Sequence, residues 1–70
     1  MTLAEGEAGN EYMINDIQSE DEELSKFLFT LGCYKGEVVT IIARRNNNLV
    51  LSIKDARYNV DVDLAKTIIV

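Results

Sequence analysis

The sequence predicts an all-β fold: a small SH3-like β-barrel with one α-helix inserted after the first strand, in a single domain of residues 1–70. Three observations carry this reading. Leu24, Leu28 and Leu31 recur at helical spacing and are followed at once by Gly32. Short segments rich in β-branched residues then follow one another at close intervals, as in small barrels. The two patterns meet in the connector Leu31-Gly32-Cys33-Tyr34-Lys35-Gly36.

The elements follow in chain order. Thr2 to Asn10 carries two glycines and two glutamates, with Leu3 as its one large apolar residue, expected to tuck against the barrel end. Glu11 to Ile17 reads as the first strand. Tyr12 and Ile14 share one face and Met13 and Ile17 the other, with a bulge near Asn15-Asp16 allowed for. Ser19 is placed as the helix N-cap, because Glu22 three residues later completes a reciprocal capping box. Asp21, Glu22 and Glu23 crowd the first turn, where the helix dipole favours negative charge. The helix is expected over Asp21 to Leu31, ended by Gly32 in the left-handed region.

Beyond Gly36, Glu37 to Ala43 reads as a strand. Asn46-Asn47-Asn48 forms a turn, since asparagine tolerates positive φ and bonds its own backbone. Leu49 to Ile53 returns, Lys54-Asp55-Ala56 turns again, and Arg57 to Val62 alternates with Tyr58, Val60 and Val62 on one face. Asp63 is expected to cap a single helical turn at Leu64-Ala65-Lys66, and Thr67 to Val70 to close the barrel.

Composition narrows the function. Apolar residues make up 47% of the 70, which suits a folded domain rather than a disordered one. A chain this short hides only about 60% of its unfolded surface, so the core must be economical. The net charge is −5 and the seven basic residues form no stripe. Nucleic-acid binding rests on Lys and Arg displacing counterions, so a nucleic-acid partner is opposed, as is electrostatic binding to an anionic membrane. No apolar run is long enough to span a bilayer, and the N-terminus lacks the pattern of a signal peptide. One cysteine cannot form an internal disulfide, so the chain reads as reduced and cytoplasmic.

Little in the sequence can do chemistry. There is no histidine to activate Cys33 or any serine or threonine, so no catalytic residue is assigned. The four glycines are isolated and build no phosphate loop. The run Glu20-Asp21-Glu22-Glu23 serves as helix start rather than metal site, because helix neighbours diverge by about 100°. With no imidazole and one thiol, neither a metal site nor a cofactor is assigned. Cys33 is expected as a small buried apolar side chain.

Binding is left, and aromatics are its candidates. Phe29 falls away from the Leu24–Leu28–Leu31 stripe and Phe27 lies at its flank. Phe29 is then either a partner contact or covered by the segment around Leu3. Tyr34 and Tyr58 are either half-buried barrel residues or lining of an aromatic groove.

So arranged, the chain resembles the ferrous iron transport protein A (FeoA) family. The resemblance rests on Leu28-Phe29-Thr30-Leu31-Gly32-Cys33-Tyr34-Lys35-Gly36, the strand Val38 to Ala43, and Leu64-Ala65-Lys66-Thr67-Ile68-Ile69-Val70. These are similar to the family's Leu-x-x-Leu-Gly-x-x-x-Gly, strand and turn, and final Leu-Ala-x-x-Ile-x-Val. The resemblance runs from Leu3 onward and is clearest from Leu24. It implies an SH3-like barrel and a small cytosolic accessory to the ferrous iron permease, a membrane protein with a cytosolic G domain. It implies no enzymatic activity.

Three positions depart from the pattern: Phe27 where arginine is frequent, Cys33 where an aliphatic residue is usual, and Lys35 where proline is common. A partner contact through the family's arginine therefore does not carry over to Phe27, and the contact surface expected here is Phe27, Phe29, Tyr34, Lys35 and Tyr58. The alternative is an SH3-like accessory domain of a metal-dependent transcriptional regulator. A start at Met1 without DNA-binding helices favours the stand-alone reading.

Overall fold

In the computed structural model, residues 1–70 are all described, and the sheet does not close. Strands β1 (Glu11–Met13), β3 (Val38–Arg44), β4 (Asn48–Ile53) and β5 (Ala56–Asp61) form a four-stranded antiparallel sheet in the order β1-β3-β4-β5. Strands β2 (Asp16–Ile17) and β6 (Ile68–Ile69) form a separate pair. The expected closed barrel is therefore corrected to two sheets. The reason lies at Ile14-Asn15, where the first extended segment breaks. Ile14 N–H donates to the Glu37 carbonyl at 2.9 Å, while Asn15 N–H donates to the Ile69 carbonyl at 2.7 Å. One half thus bonds the β3 side and the other β6, and the outer edge of β5 bonds no strand.

Helix placement is corrected too. Helix α1 (Glu22–Leu31) follows two short strands rather than one, and a second helix, α2 (Val62–Ala65), follows β5. Leu3–Glu5 form a 3₁₀ turn. Arg44 pins that turn by donating from Nη1 to the carbonyls of Ala4 (2.8 Å) and Gly6 (2.7 Å).

The N-cap of α1 is Asp21, not Ser19. Asp21 is extended, and its Oδ1 accepts from Glu23 N–H and Leu24 N–H at 3.0 and 3.4 Å. Ser19 Oγ instead accepts from Asp21 N–H at 3.1 Å, which shapes the turn before the helix. Asp21→Ala should therefore cost about 1 kcal/mol and Ser19→Ala distinctly less, read as urea midpoints. A larger loss for Ser19→Ala would contradict this assignment. Asp63 is likewise displaced as a cap: Asp61 Oδ1 accepts from Leu64 N–H at 2.7 Å, and Asp63 already sits in the first turn of α2.

The core lies on the inner face of the larger sheet. Val39 and Ile41 of β3, Leu49, Leu51 and Ile53 of β4, and Val60 of β5 are buried together with Leu3, Ile14, Leu28, Ala65 and Ile68. Their alternation along β4 is complete, as the pleat requires. Ile42 is the extra residue of a bulge in β3 and is left exposed. The β4–β5 hairpin turns on Lys54 and Asp55, both at positive φ (49° and 67°), the geometry that matches the twist of paired strands. The asparagine turn does not use positive φ.

Helix α1 has its first turn near the end of β5 and its last near the β4–β5 hairpin. Leu24 shares a surface depression with Asp61 and Leu64, and Gly32 approaches Ile53 and Lys54 at the hairpin. Only Leu28 of its stripe is fully buried; Leu24 and Leu31 are half-buried.

Candidate functional site

Gly32 sets the site's geometry. Its φ of 94° ends α1 in the left-handed region, and its N–H is bonded back to the Leu28 and Phe29 carbonyls. The chain then reverses within two residues, so Tyr34 returns alongside the last turn of the helix. The rings of Phe29 and Tyr34 meet with centroids 5.1 Å apart and planes tilted by 39°, a favourable aromatic arrangement. Phe29 remains 64% exposed, so the segment around Leu3 does not cover it. Leu3 itself is buried in the core.

Lys54 completes the cluster from the hairpin. Its ammonium lies 4.8 Å from the Tyr34 ring centroid and donates to the Tyr34 hydroxyl. The Glu37 carboxylate stands 3.9 Å away. The Tyr34 hydroxyl, and after it the charge of Glu37, hold the Lys54 ammonium above the usual lysine range, so it stays charged at neutral pH. Beside Glu37, Val38 pairs across the sheet with Met13. These two are 42% and 58% exposed.

The remaining sequence candidates lie elsewhere or at the border. Lys35 is exposed and adjoins Tyr34. Phe27 is exposed, but it and Phe29 flank Leu28 at about 100° on either side, so they face different directions. Tyr58 packs half-buried against the core, opposite Leu51. Phe29, Tyr34 and Lys35 are thus brought together; Phe27 and Tyr58 are not part of that cluster. Lys54 and Glu37 were not legible as site residues. Lys54 sits 20 residues beyond Tyr34, in a turn with neither glycine nor asparagine.

The opposite end of the sheet is acidic. Two adjoining depressions lie there, one of about 300 Å³ lined by Asn46, Asn47, Asp61, Val62, Asp63 and Lys66. The other, about 290 Å³, is lined by Leu24, Asp61, Asp63 and Leu64. No three Cys, Asp or Glu side chains converge on one point in the fold.

Cys33, which directly follows Gly32, is 2% exposed, and burial pushes its thiol up to about 11. The folded state therefore favours the protonated thiol. That contribution is complete below about pH 9, where the unfolded thiol begins to ionise, and is lost as pH rises toward about 11. The urea midpoint should fall over this window, and the fall should be smaller in Cys33→Ala. An equal fall in both proteins would mean that other groups dominate.

The sequence matches the family model of the FeoA domain over residues 1–70. No curated protein sequence matches it. Among solved structures, the fold is similar to an iron uptake regulatory protein (FeoA), with a TM-score of 0.89 and 16% identity, covering 97% of this chain and 91% of that one. It is similar to Stenotrophomonas maltophilia FeoA complexed with zinc, described as a prokaryotic SH3 domain protein (0.88, 23%, covering 99% and 87%). It is also similar to a manganese-dependent transcriptional repressor (0.88, 17%), of which it spans 39% while 97% of this chain is covered. At these identities the structures establish the SH3-like fold. The full-length match to the family model goes further: this chain belongs to the FeoA domain family.

Proposed function

We propose that this chain is a small cytosolic accessory protein of ferrous iron uptake that acts by contact with the cytosolic region of the iron permease. The observation that carries the reading is the exposed Phe29, paired with a half-buried Tyr34 that Lys54 contacts, on a domain of the FeoA family. Aromatic side chains rank among the strongest interface anchors. The relative from Stenotrophomonas maltophilia is described in connection with ferrous iron transport activation, which agrees with this reading. The reading includes no catalytic step and no resident cofactor. Phe27, Lys35 and Tyr58 remain candidates for the wider contact.

The test is calorimetric titration of the permease's purified cytosolic region with this protein and with Phe29→Ala. The variant should bind more weakly by more than about 1 kcal/mol. Equal binding by both would remove Phe29 from the contact, and no binding by the parent would overturn the reading. The fold likeness to the manganese-dependent repressor supports a second reading, an accessory domain of a metal-dependent regulator. Binding to a repressor's metal-binding or DNA-binding domain, with none to the permease, would favour it.

A further inference from the structure

The cations of this acidic protein fall toward both ends of the sheet, with Arg44, Arg45 and Lys66 toward the end that carries Asn46 and Asn47. Lys26 stands one helical turn before Phe29 on the same face of α1. Lys35 follows Tyr34, and Lys54 lies against the Tyr34 ring. Three of the seven basic residues thus surround one aromatic pair. Glu37 is engaged with Lys54, and Asp55 follows Lys54 in the hairpin turn. Lys26 and Lys35 are exposed and make no ion pair, although Glu22 and Glu23 lie on the preceding turn of α1. The far end of the sheet carries Asp61 and Asp63, with Glu20 to Glu23 at the start of α1.

Resting on the function proposed above, we infer that this end of the molecule docks an acidic polypeptide segment that carries an apolar anchor. The anchor sits against Phe29 and Tyr34. Carboxylates beside the anchor meet Lys26, Lys35 and Lys54. The long lysine stems cover the flanks of the apolar surface and keep their ammonium groups in water until the partner arrives. Opposite charge across a rim raises the encounter rate and disfavours basic competitors, while the apolar anchor discriminates among acidic ones. An anionic lipid surface shares the charge, but a protein of net charge −5 would be repelled as the rest of its surface approached.

The experiment compares two double variants with equal charge change. Lys26→Glu/Lys35→Glu reverses the patch, and Arg45→Glu/Lys66→Glu reverses cations at the other end. Each is titrated into the permease's cytosolic region at about 50 and 300 mM salt and, separately, into phosphatidylglycerol vesicles. Thermal melts should show both doubles folded, since all four positions are exposed. The patch double should bind the permease region at least tenfold more weakly, with a flatter salt dependence, and the control double within about twofold of the parent. Equal losses in the two doubles would overturn the inference while leaving the permease reading standing. Tight parent binding to the vesicles, abolished by the patch double, would overturn it in favour of lipid. Absence of parent binding to the permease region would overturn both readings together.

Discussion

Leu28→Ala is expected to lower stability by about 3 kcal/mol, the usual range for a fully buried leucine being about 2–5 kcal/mol. Leu28 is the one residue of the α1 stripe with no exposed surface, and it belongs to the twelve-residue core. The loss combines the transfer of its side chain with the cavity left behind, because the surrounding core side chains can relax only in part. A 70-residue domain holds roughly 0.05–0.15 kcal/mol per residue, so the change removes a large share of the total. The melting temperature should fall by more than about 10 °C. Its neighbour behaves in the opposite way: Phe29→Ala, at an exposed position, should move stability by no more than about 0.5 kcal/mol. Urea midpoints for the pair decide whether α1 is seated as described. Similar losses at both positions would mean that the helix is rotated.

Gly32→Val is expected to cost about 3 kcal/mol, from two separable causes. At a φ of 94° any side chain meets the left-handed steric penalty, roughly 1–2 kcal/mol, and a β-branched one fares worst. A Cβ at Gly32 would also stand 3.0 Å from Ile53 Cγ2 and 3.4 Å from Lys54 Cδ, crowding the hairpin that supports the aromatic pair. Gly36 separates the causes. Its φ is 91°, yet no atom lies within 4 Å of a Cβ built there. Gly36→Ala should therefore show the backbone penalty alone, about 1 kcal/mol, and Gly32→Ala a larger loss. Equal losses would mean that Ile53 and Lys54 yield without cost.

Several features were legible in the sequence for physical reasons. The end of α1 was, because glycine tolerates the left-handed conformation that closes a helix and here directly follows an apolar stripe. The inner face of β5 was, because period-2 alternation put Tyr58 and Val60 on one side, where they are half-buried and buried, although Val62 begins α2 instead of continuing the strand. The start of α1 was misread because Ser19 and Asp21 are both good caps two residues apart. Only the backbone geometry shows that Asp21 bonds the free N–H groups. The same ambiguity displaced Asp63 in favour of Asp61. Open sheets were not legible because periodicity reports faces, not hydrogen-bond partners, and the switch at Ile14-Asn15 toward β6 leaves no trace in it. The helical wheel placed Phe29 off the core stripe but left open what covered it. Its pairing with Tyr34 required knowing how tightly Gly32 turns the chain, and Lys54 required the tertiary fold.

Partner contact at the Phe29–Tyr34–Lys54 end of the molecule is the claim on which the proposed function turns. The most direct measurement is an amide ¹⁵N–¹H correlation spectrum of the labelled protein during titration with the permease's cytosolic region. Progressive shifts or broadening are expected in residues 26–38, at Met13 and at Lys54. Asn46, Asn47 and residues 61–66 should be unchanged. Perturbations centred on the Asp61–Lys66 depressions, with the aromatic end silent, would contradict it.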